Sequence, residues 1–543
     1  MVDLPHLPRM SIQIYDSLAR ELRPFTPLEA GKVGMYVCGP TVYDEAHVGH
    51  LMGPVVFDTI ARWLQARGYE VRFVNNITDI DDKIIRRAQD TGEAWDAISR
   101  RYTQAYQSHL ADLAIDTITD FPRCTDYVAE MVAFIQTLVD DGKAYEASDG
   151  VYFEVARQAG YGKLSGRKLE DMRAGERVAV AEGLKDPADF ALWKKAKPGE
   201  PAWPSPWGEG RPGWHIECSV MSSQLLGGDF DIHGGGDDLK FPHHENEIAQ
   251  SEAHGDHYAA CWMHNGLVQY GGRKIAKSDE RMQDAAFRQQ FQAPWLLENH
   301  GPPALRYFLI RSPYRKPVDF EPKALAAART GLLRLYRQLG ERLENPACLS
   351  LDQILDLDLP EPLAEQRSAF CRAMDQDFNT GEAVAALFSL ATLAKSLSPS
   401  EADQALDLAR DLGRTIGLLM PGDAEKVANA GSGDALLGKV LPALARIRAG
   451  ARSRKSFESA DGLRDALAPL GIALRDSSVG TAAELDGQVR ENLLGLALDA
   501  TLAVRTQARA AKDFATSDAI RDELQEAGVT ILDSPSGTTW RIE

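Results

Sequence analysis

Cysteine is scarce in this chain: six residues in 543, at the irregular positions 38, 124, 218, 261, 348 and 371. So sparse a set excludes a disulfide framework and fits a reducing, cytoplasmic compartment. No uninterrupted apolar run comes near the ~20 residues that a membrane-spanning helix needs. The opening residues, Met1-Val2-Asp3-Leu4-Pro5-His6, lack the basic flank and apolar core of a secretory signal. Basic residues are in deficit, 60 Lys and Arg against 79 Asp and Glu, which leaves a net charge of −19. That excludes an unfocused polyanion binder, but not a polynucleotide held on a local basic surface. The remaining composition is globular, 44% hydrophobic and 26% charged. The length exceeds one core and calls for roughly three or four domains.

The order of apolar segments is that of an α/β protein. Residues 33–38 read as a buried strand closing on the turn Gly39-Pro40, residues 48–67 as a helix stopped by Gly68, and residues 70–74 as the next strand. Strand, helix, strand at this spacing begins a parallel sheet of Rossmann type. Residues 95–140 read as helical, residues 145–155 as a hairpin, and residues 198–212 as a Pro/Gly/Trp-rich loop. The α/β pattern resumes with a strand at 229–233 and a helix at 242–254. The predicted organisation is therefore a Rossmann-type catalytic domain in two halves, 1–95 and 211–300, split by a connective insertion, 96–210. An α-helical bundle at 301–422, a linker at 423–434 and a small mixed C-terminal module at 435–543 follow. That module looks duplicated: residues 455–481 match residues 512–538 at an offset of 57, with Phe457/Phe514, Asp461/Asp518, Arg464/Arg521 and Gly471/Gly528 among the identities.

Four residues far apart in sequence make a plausible metal set: Cys38, Cys218, His243 and Glu247. His243 and Glu247 are four apart and share one face of a helix, to be completed by thiolates from two strand ends. His244, three before Glu247, is a rival ligand by the same reasoning. His47-Val48-Gly49-His50 opens a helix that follows a strand, where free N–H groups and the helix dipole attract phosphate. Lys274 and Lys277, after Gly271-Gly272, sit on a hinged loop suited to a pyrophosphate. The glycine turn with Gly235 and Asp238 suits an adenosine, a carboxylate meeting the ribose hydroxyls.

Taken in order, His-Val-Gly-His, the glycine turn and Lys274-Ile275-Ala276-Lys277-Ser278 resemble the motifs of class I aminoacyl-tRNA synthetases. The flanking stretches resemble one family within them, the cysteinyl-tRNA synthetases. They include Met35-Tyr36-Val37-Cys38-Gly39-Pro40-Thr41, Asn76-Ile77-Thr78-Asp79-Ile80-Asp81-Asp82-Lys83, Gly213-Trp214-His215-Ile216-Glu217-Cys218 and the closing Gly537-Thr538-Thr539-Trp540-Arg541.

The resemblance implies an ATP-dependent cysteine–tRNA ligase that forms cysteinyl-adenylate and passes the acyl group to tRNA(Cys). It implies one Zn2+ on Cys38, Cys218, His243 and Glu247, and Mg2+ entering with ATP. His47 and His50 would stabilise the phosphates, together with Gly235 and Asp238 at ATP, while Lys274 and Lys277 would take the pyrophosphate. Thr41, Thr78 and Trp214 would line the pocket for L-cysteine. With four protein ligands, the metal would have to expand its coordination or loosen Glu247 when the substrate thiol arrives. A monomer without membrane attachment is expected.

Some positions depart from the family pattern. Leu51-Met52 follow His50 in place of Gly-Arg, and Asp279-Glu280-Arg281 follow the lysine loop. Trp540, absent from the first copy of the repeat, is the expected stacking platform for an anticodon base. Two other readings share the site chemistry: a mycothiol-type ligase that gives cysteine to an amino sugar, and a non-catalytic tRNA- or zinc-binding relative.

Overall fold

The computed structural model describes residues 11–168, 184–274, 280–430, 432–477, 480–485, 493–534 and 537–542. The chain divides into two compact units, Met1–Val427 and Ala428–Glu543.

A five-stranded sheet organises the first unit. Its strands, in chain order, are Lys32–Val37, Glu70–Asn75, Ile118–Asp120, Asp229–Gly236 and Tyr258–Asn265. All neighbours are parallel, and across the sheet the strands run third, second, first, fourth, fifth. This is the doubly wound order, and the first and fourth strands meet where the winding reverses. Met35, Tyr36 and Val37 are wholly buried, as befits a strand covered on both faces. The helix Val48–Ala66 packs behind the switch point. The Phe57 ring lies so close to Gly234 that no Cβ fits there, and the Asn76 carbonyl does the same at Gly39.

The third strand corrects the reading of residues 95–140 as helical throughout. Two helices, Trp95–Asp112 and Val128–Asp140, flank a three-residue edge strand, Ile118–Asp120. An antiparallel sheet of Ala144–Ala147, Gly150–Phe153, Phe190–Lys195 and Gly210–Pro212 fills the inserted region. Val268–Tyr270 leaves the parallel sheet and pairs instead with Arg273–Lys274 and Val318–Asp319.

Helices Pro302–Ile310, Pro322–Leu339, Glu361–Asp375, Thr380–Leu393 and Pro399–Arg414 form the bundle. Arg306 ties it to the sheet domain. Fully buried, it ion-pairs with Asp58 and donates to the Leu113 and Ile416 carbonyls at 3.2 Å each. The expected linker at 423–434 begins as a helix, Asp423–Asn429, whose Val427 is fully buried. Among the described residues no helix is long and apolar enough to cross a membrane.

The second unit is helical with two hairpins. Ile472–Ser477 pairs with Gly480–Leu485, and Val529–Ser534 with Gly537–Ile542, around a core that includes Leu444, Leu498 and Ile520.

Candidate active site

The site lies at the C-terminal ends of the first and fourth strands, where open α/β sheets bind ligands. Cys38 follows the first strand, and its N–H donates to the Gly234 carbonyl of the fourth at 3.1 Å. Cys218 comes from a helix, Trp214–Leu226, and not from a strand end. The strand Gly210–Pro212 ends just before it, and Gly213 caps the turn. His243 and Glu247 share a face of the helix His243–His254.

These four residues each offer one donor atom, and the four atoms lie within 4.8 Å of one another. Cys38 Sγ is 3.7 Å from Cys218 Sγ and 3.6 Å from Glu247 Oε1, and His243 Nε2 is 3.1 Å from the same oxygen. Burial pushes the Cys38 thiol far up and works against ionising Cys218, but the Cys38 hydrogen bond and His243 bring Cys218 down to about 6. Burial likewise opposes the Glu247 charge, yet His233 and His243 hold its carboxyl below the usual range. Two sulfurs, an imidazole nitrogen and a carboxylate oxygen form a donor set that suits Zn2+ better than a hard cation. A second grouping, Cys38, His233, His244 and Glu247, also comes within the same span, so the rivalry between His243 and His244 persists in the geometry.

Most partners behind the donors left no signal in the sequence. Glu247 Oε2 accepts from the Tyr258 hydroxyl at 2.8 Å and lies 2.7 Å from His233 Nε2. His243 Nδ1 lies 2.9 Å from His215 Nδ1, which leaves Nε2 for the site. His244 Nδ1 lies 2.8 Å from His264 Nε2. Burial, with neighbouring cations and imidazoles adding to it, keeps His215, His244 and His264 neutral. His215 sits three residues before Cys218, a usable signal. Tyr258 and His233 come from other strands and left none.

Thr41 and Thr78 form a single parallel bridge beside Cys38. The Thr78 hydroxyl donates to Glu217 Oε2 at 2.8 Å. Glu217 is itself buried, which drives its carboxyl well up toward the protonated form. Trp214 stacks on His243 with centroids 4.2 Å apart and is 38% exposed. Trp214 therefore lies against the candidate metal set, while Thr78 reaches Glu217, the residue before Cys218, and Thr41 is joined to Thr78.

His47 caps the helix Val48–Ala66 in an unusual way. Its Nδ1 accepts from the Gly49 N–H at 3.1 Å, while His50 Nδ1 accepts from the His47 N–H at 3.3 Å. The two rings stack at 3.7 Å. This is a capping box built from imidazoles, and it fixes both rings over the helix N-terminus. Gly235 lies on the fourth strand and Asp238 in the exposed turn that follows, Asp237–Lys240. Gly271 and Gly272 take left-handed φ of 58° and 72° to turn the chain into Arg273–Lys274. Lys277 lies outside the described residues, and of Lys274 only the backbone is described.

Trp540 does not stand free. It packs on the core of the second unit and donates its indole N–H to Asp499 at 2.7 Å.

The family model for the tRNA synthetases class I (C) catalytic domain matches residues 24–330. The DALR domain model matches residues 369–420, and the cysteinyl-tRNA ligase anticodon binding domain model matches residues 492–541. A cysteine–tRNA ligase of Hahella chejuensis is 45% identical over 483 residues, covering 87% of this chain and 99% of its own. One from Alkalilimnicola ehrlichii is 43% identical over 539 residues, covering 98% of this chain and 100% of its own. Among solved structures, Mycobacterium tuberculosis methionyl-tRNA synthetase in complex with methionyl-adenylate superposes with a TM-score of 0.53 at 15% identity. It covers 75% of this chain and 94% of its own, and it shares the fold.

Proposed function

The chain belongs to the cysteine–tRNA ligases of class I, and from that premise we propose how its residues divide the work. It is an ATP-dependent ligase. The carboxylate of L-cysteine attacks the α-phosphate of MgATP, giving cysteinyl-adenylate and pyrophosphate. A terminal ribose hydroxyl of tRNA(Cys) then takes the acyl group and releases AMP.

Cys38, Cys218, His243 and Glu247 would hold one Zn2+. When bound, that ion supplies a Lewis acid that favours a thiolate over serine's hydroxyl, by acidity and by softness. His215, His233 and Tyr258 orient the ligands. Trp214, Thr41 and Thr78 bound the space for the amino acid. His47 and His50 hold the phosphates through their ring edges and through the helix N-terminus that they cap; such a contact is worth about 2–4 kcal/mol in the transition state. Gly235 and Asp238 take the adenosine, and Lys274 and Lys277 the pyrophosphate. The enzyme is proposed to act as a monomer.

The observation that carries this reading is the convergence of four donor atoms from three elements within 4.8 Å, at the end of the strand that precedes the His47/His50 cap. An amino-sugar acceptor would need no anticodon reader, whereas residues 492–541 match one. The test is metal content of the purified protein, combined with cysteine-dependent ATP–pyrophosphate exchange and charging of tRNA(Cys) against an amino-sugar acceptor. A metal-free protein, or one that exchanges equally well with serine, would refute the assignment.

A further inference from the structure

Residues 432–542 hold two copies of one fold. The first is Ser432–Ser453, Phe457–Leu467 and the hairpin Ile472–Ser477 with Gly480–Leu485. The second is Leu493–Ala510, Phe514–Glu526 and the hairpin Val529–Ser534 with Gly537–Ile542. The 57-residue offset reaches beyond the sequence repeat, into the helix before it. Arg448 and Arg505 are equivalent, fully buried, and donate through Nε to equivalent carbonyls, Ala460 and Ser517, each at 3.3 Å. Each also ion-pairs with the equivalent aspartate, Asp476 or Asp533, which accepts in turn from Thr481 at 2.7 Å or Thr538 at 2.8 Å. The copies therefore preserve a polar network anchored on a buried arginine, as well as a chain path.

They also preserve a surface. Lys455 and Lys512 take left-handed φ of 63° and 60°, and the helices that follow start on Phe457 and Phe514. These rings are 54% and 58% exposed. Among the described residues the one other exposed Phe, Tyr or Trp is Trp214, at 38%. The two helix starts face each other: Ser459 donates to the capping Asp513 at 2.8 Å, and Arg454 to Thr516 at 3.4 Å. Phe457 and Phe514 lie two residues and one residue from that first contact. Arg452, Arg454, Lys455, Arg509 and Lys512, within five residues of these rings in sequence, are exposed, with Arg452 and Arg509 also paired to Asp476 and Asp533.

The copies differ in charge. Residues 432–485 carry eight Lys and Arg against six Asp and Glu, the reverse of residues 489–542, in a chain whose net charge is −19. An exposed aromatic among cations is the chemistry that binds unpaired nucleotides, the ring stacking on a base and the cations meeting phosphate. The matched anticodon binding domain covers only the second copy.

We propose that the first copy is a second contact for single-stranded RNA, in which Phe457 stacks on an unpaired base of the bound tRNA and Arg452, Arg454 and Lys455 meet its backbone. This rests on the tRNA-ligase reading above. The test uses the full chain and measures tRNA(Cys) affinity as a function of salt for the wild type, for Phe457→Leu, and for the triple variant Arg452→Ser/Arg454→Ser/Lys455→Ser. Leucine keeps the apolar bulk but removes the ring. Phe457→Leu is expected to weaken tRNA binding by about 5- to 100-fold. The triple variant is expected to reduce the slope of log K against log salt by about 2. Cysteine-dependent ATP–pyrophosphate exchange without tRNA stays at the wild-type rate in both. Unchanged affinity in Phe457→Leu together with an unchanged slope in the triple variant would overturn the proposal. If the wild type neither exchanges nor binds tRNA, the functional reading fails instead.

Discussion

The Tyr258 hydroxyl donates to Oε2 of Glu247 at 2.8 Å, so the carboxylate turns its other oxygen, Oε1, to Cys38 and His243. His233 grips the same Oε2 at 2.7 Å. Held from behind at one oxygen, Glu247 has little freedom to swing away. An ion held by this set would keep Glu247 as a ligand when a substrate thiol arrives. Partners of this kind typically hold 10- to 100-fold of metal affinity. Tyr258→Phe is expected to cost about 10-fold, read by chelator competition, with the fold intact by circular dichroism.

Cys218→Ser removes the donor whose pKa the surroundings bring to about 6. Serine's hydroxyl stays protonated and is a harder ligand. Metal content should fall well below one per chain, and cysteine-dependent pyrophosphate exchange should be lost. Retained exchange would contradict the ligand set.

His47→Ala acts on two levels. It removes a helix cap, costing about 0.5–2 kcal/mol of stability. It also removes a ring poised over the helix N-terminus, where losing one such contact lowers turnover about 10²–10³-fold. Exchange kinetics at saturating ATP should show that drop, while the melting temperature falls by only a few degrees.

Asp423 carries a pH prediction. Burial raises its carboxyl from 3.8 to about 6 in the folded protein. A raised folded-state pKa favours folding below the unfolded value, and that advantage disappears as pH climbs through the folded value. Above pH 6 the buried charge is a liability of about 3 kcal/mol. Asp423→Asn keeps an acceptor for the Met420 N–H, now at 2.9 Å. It should raise the melting temperature at pH 7.5 and leave it unchanged near pH 4.

Arg306→Ala would leave Asp58 buried with only Arg62 opposite. Breaking a buried pair from one side typically costs about 3–5 kcal/mol. Denaturant titration should show that loss, and Arg306→Met, which refills the volume, should recover little of it because Asp58 stays charged.

What the sequence disclosed follows from how local each signal is. The pair His243 and Glu247 was legible because one helical turn joins them, and the helix start at His47-Val48-Gly49-His50 because it stands between a strand and a periodic helix. Ile118–Asp120 was not legible: three residues are too few to show a period, and its neighbours are strongly helical. Residues 423–429 look like linker in composition, yet Val427 is buried in a helix, so tertiary contact outweighs the weak local preference. Trp540 was legible as a large ring unique to one copy, but its hydrogen bond to Asp499, 41 residues away, was not. The exposed rings, Phe457 and Phe514, begin their helices, where apolar spacing does not distinguish inward from outward.

The first and fourth strands of the sheet are neighbours, yet nearly two hundred residues of chain separate them. On the ribosome, Lys32–Val37 emerges long before Asp229–Gly236 exists to pair with it. At about 5–20 residues per second, its open edge waits on the order of 10–40 s. An unpaired apolar strand edge invites association with other chains. Synthesis pauses ahead of residue 229 should therefore be the interval in which nascent chains of this protein depend most on protection from one another.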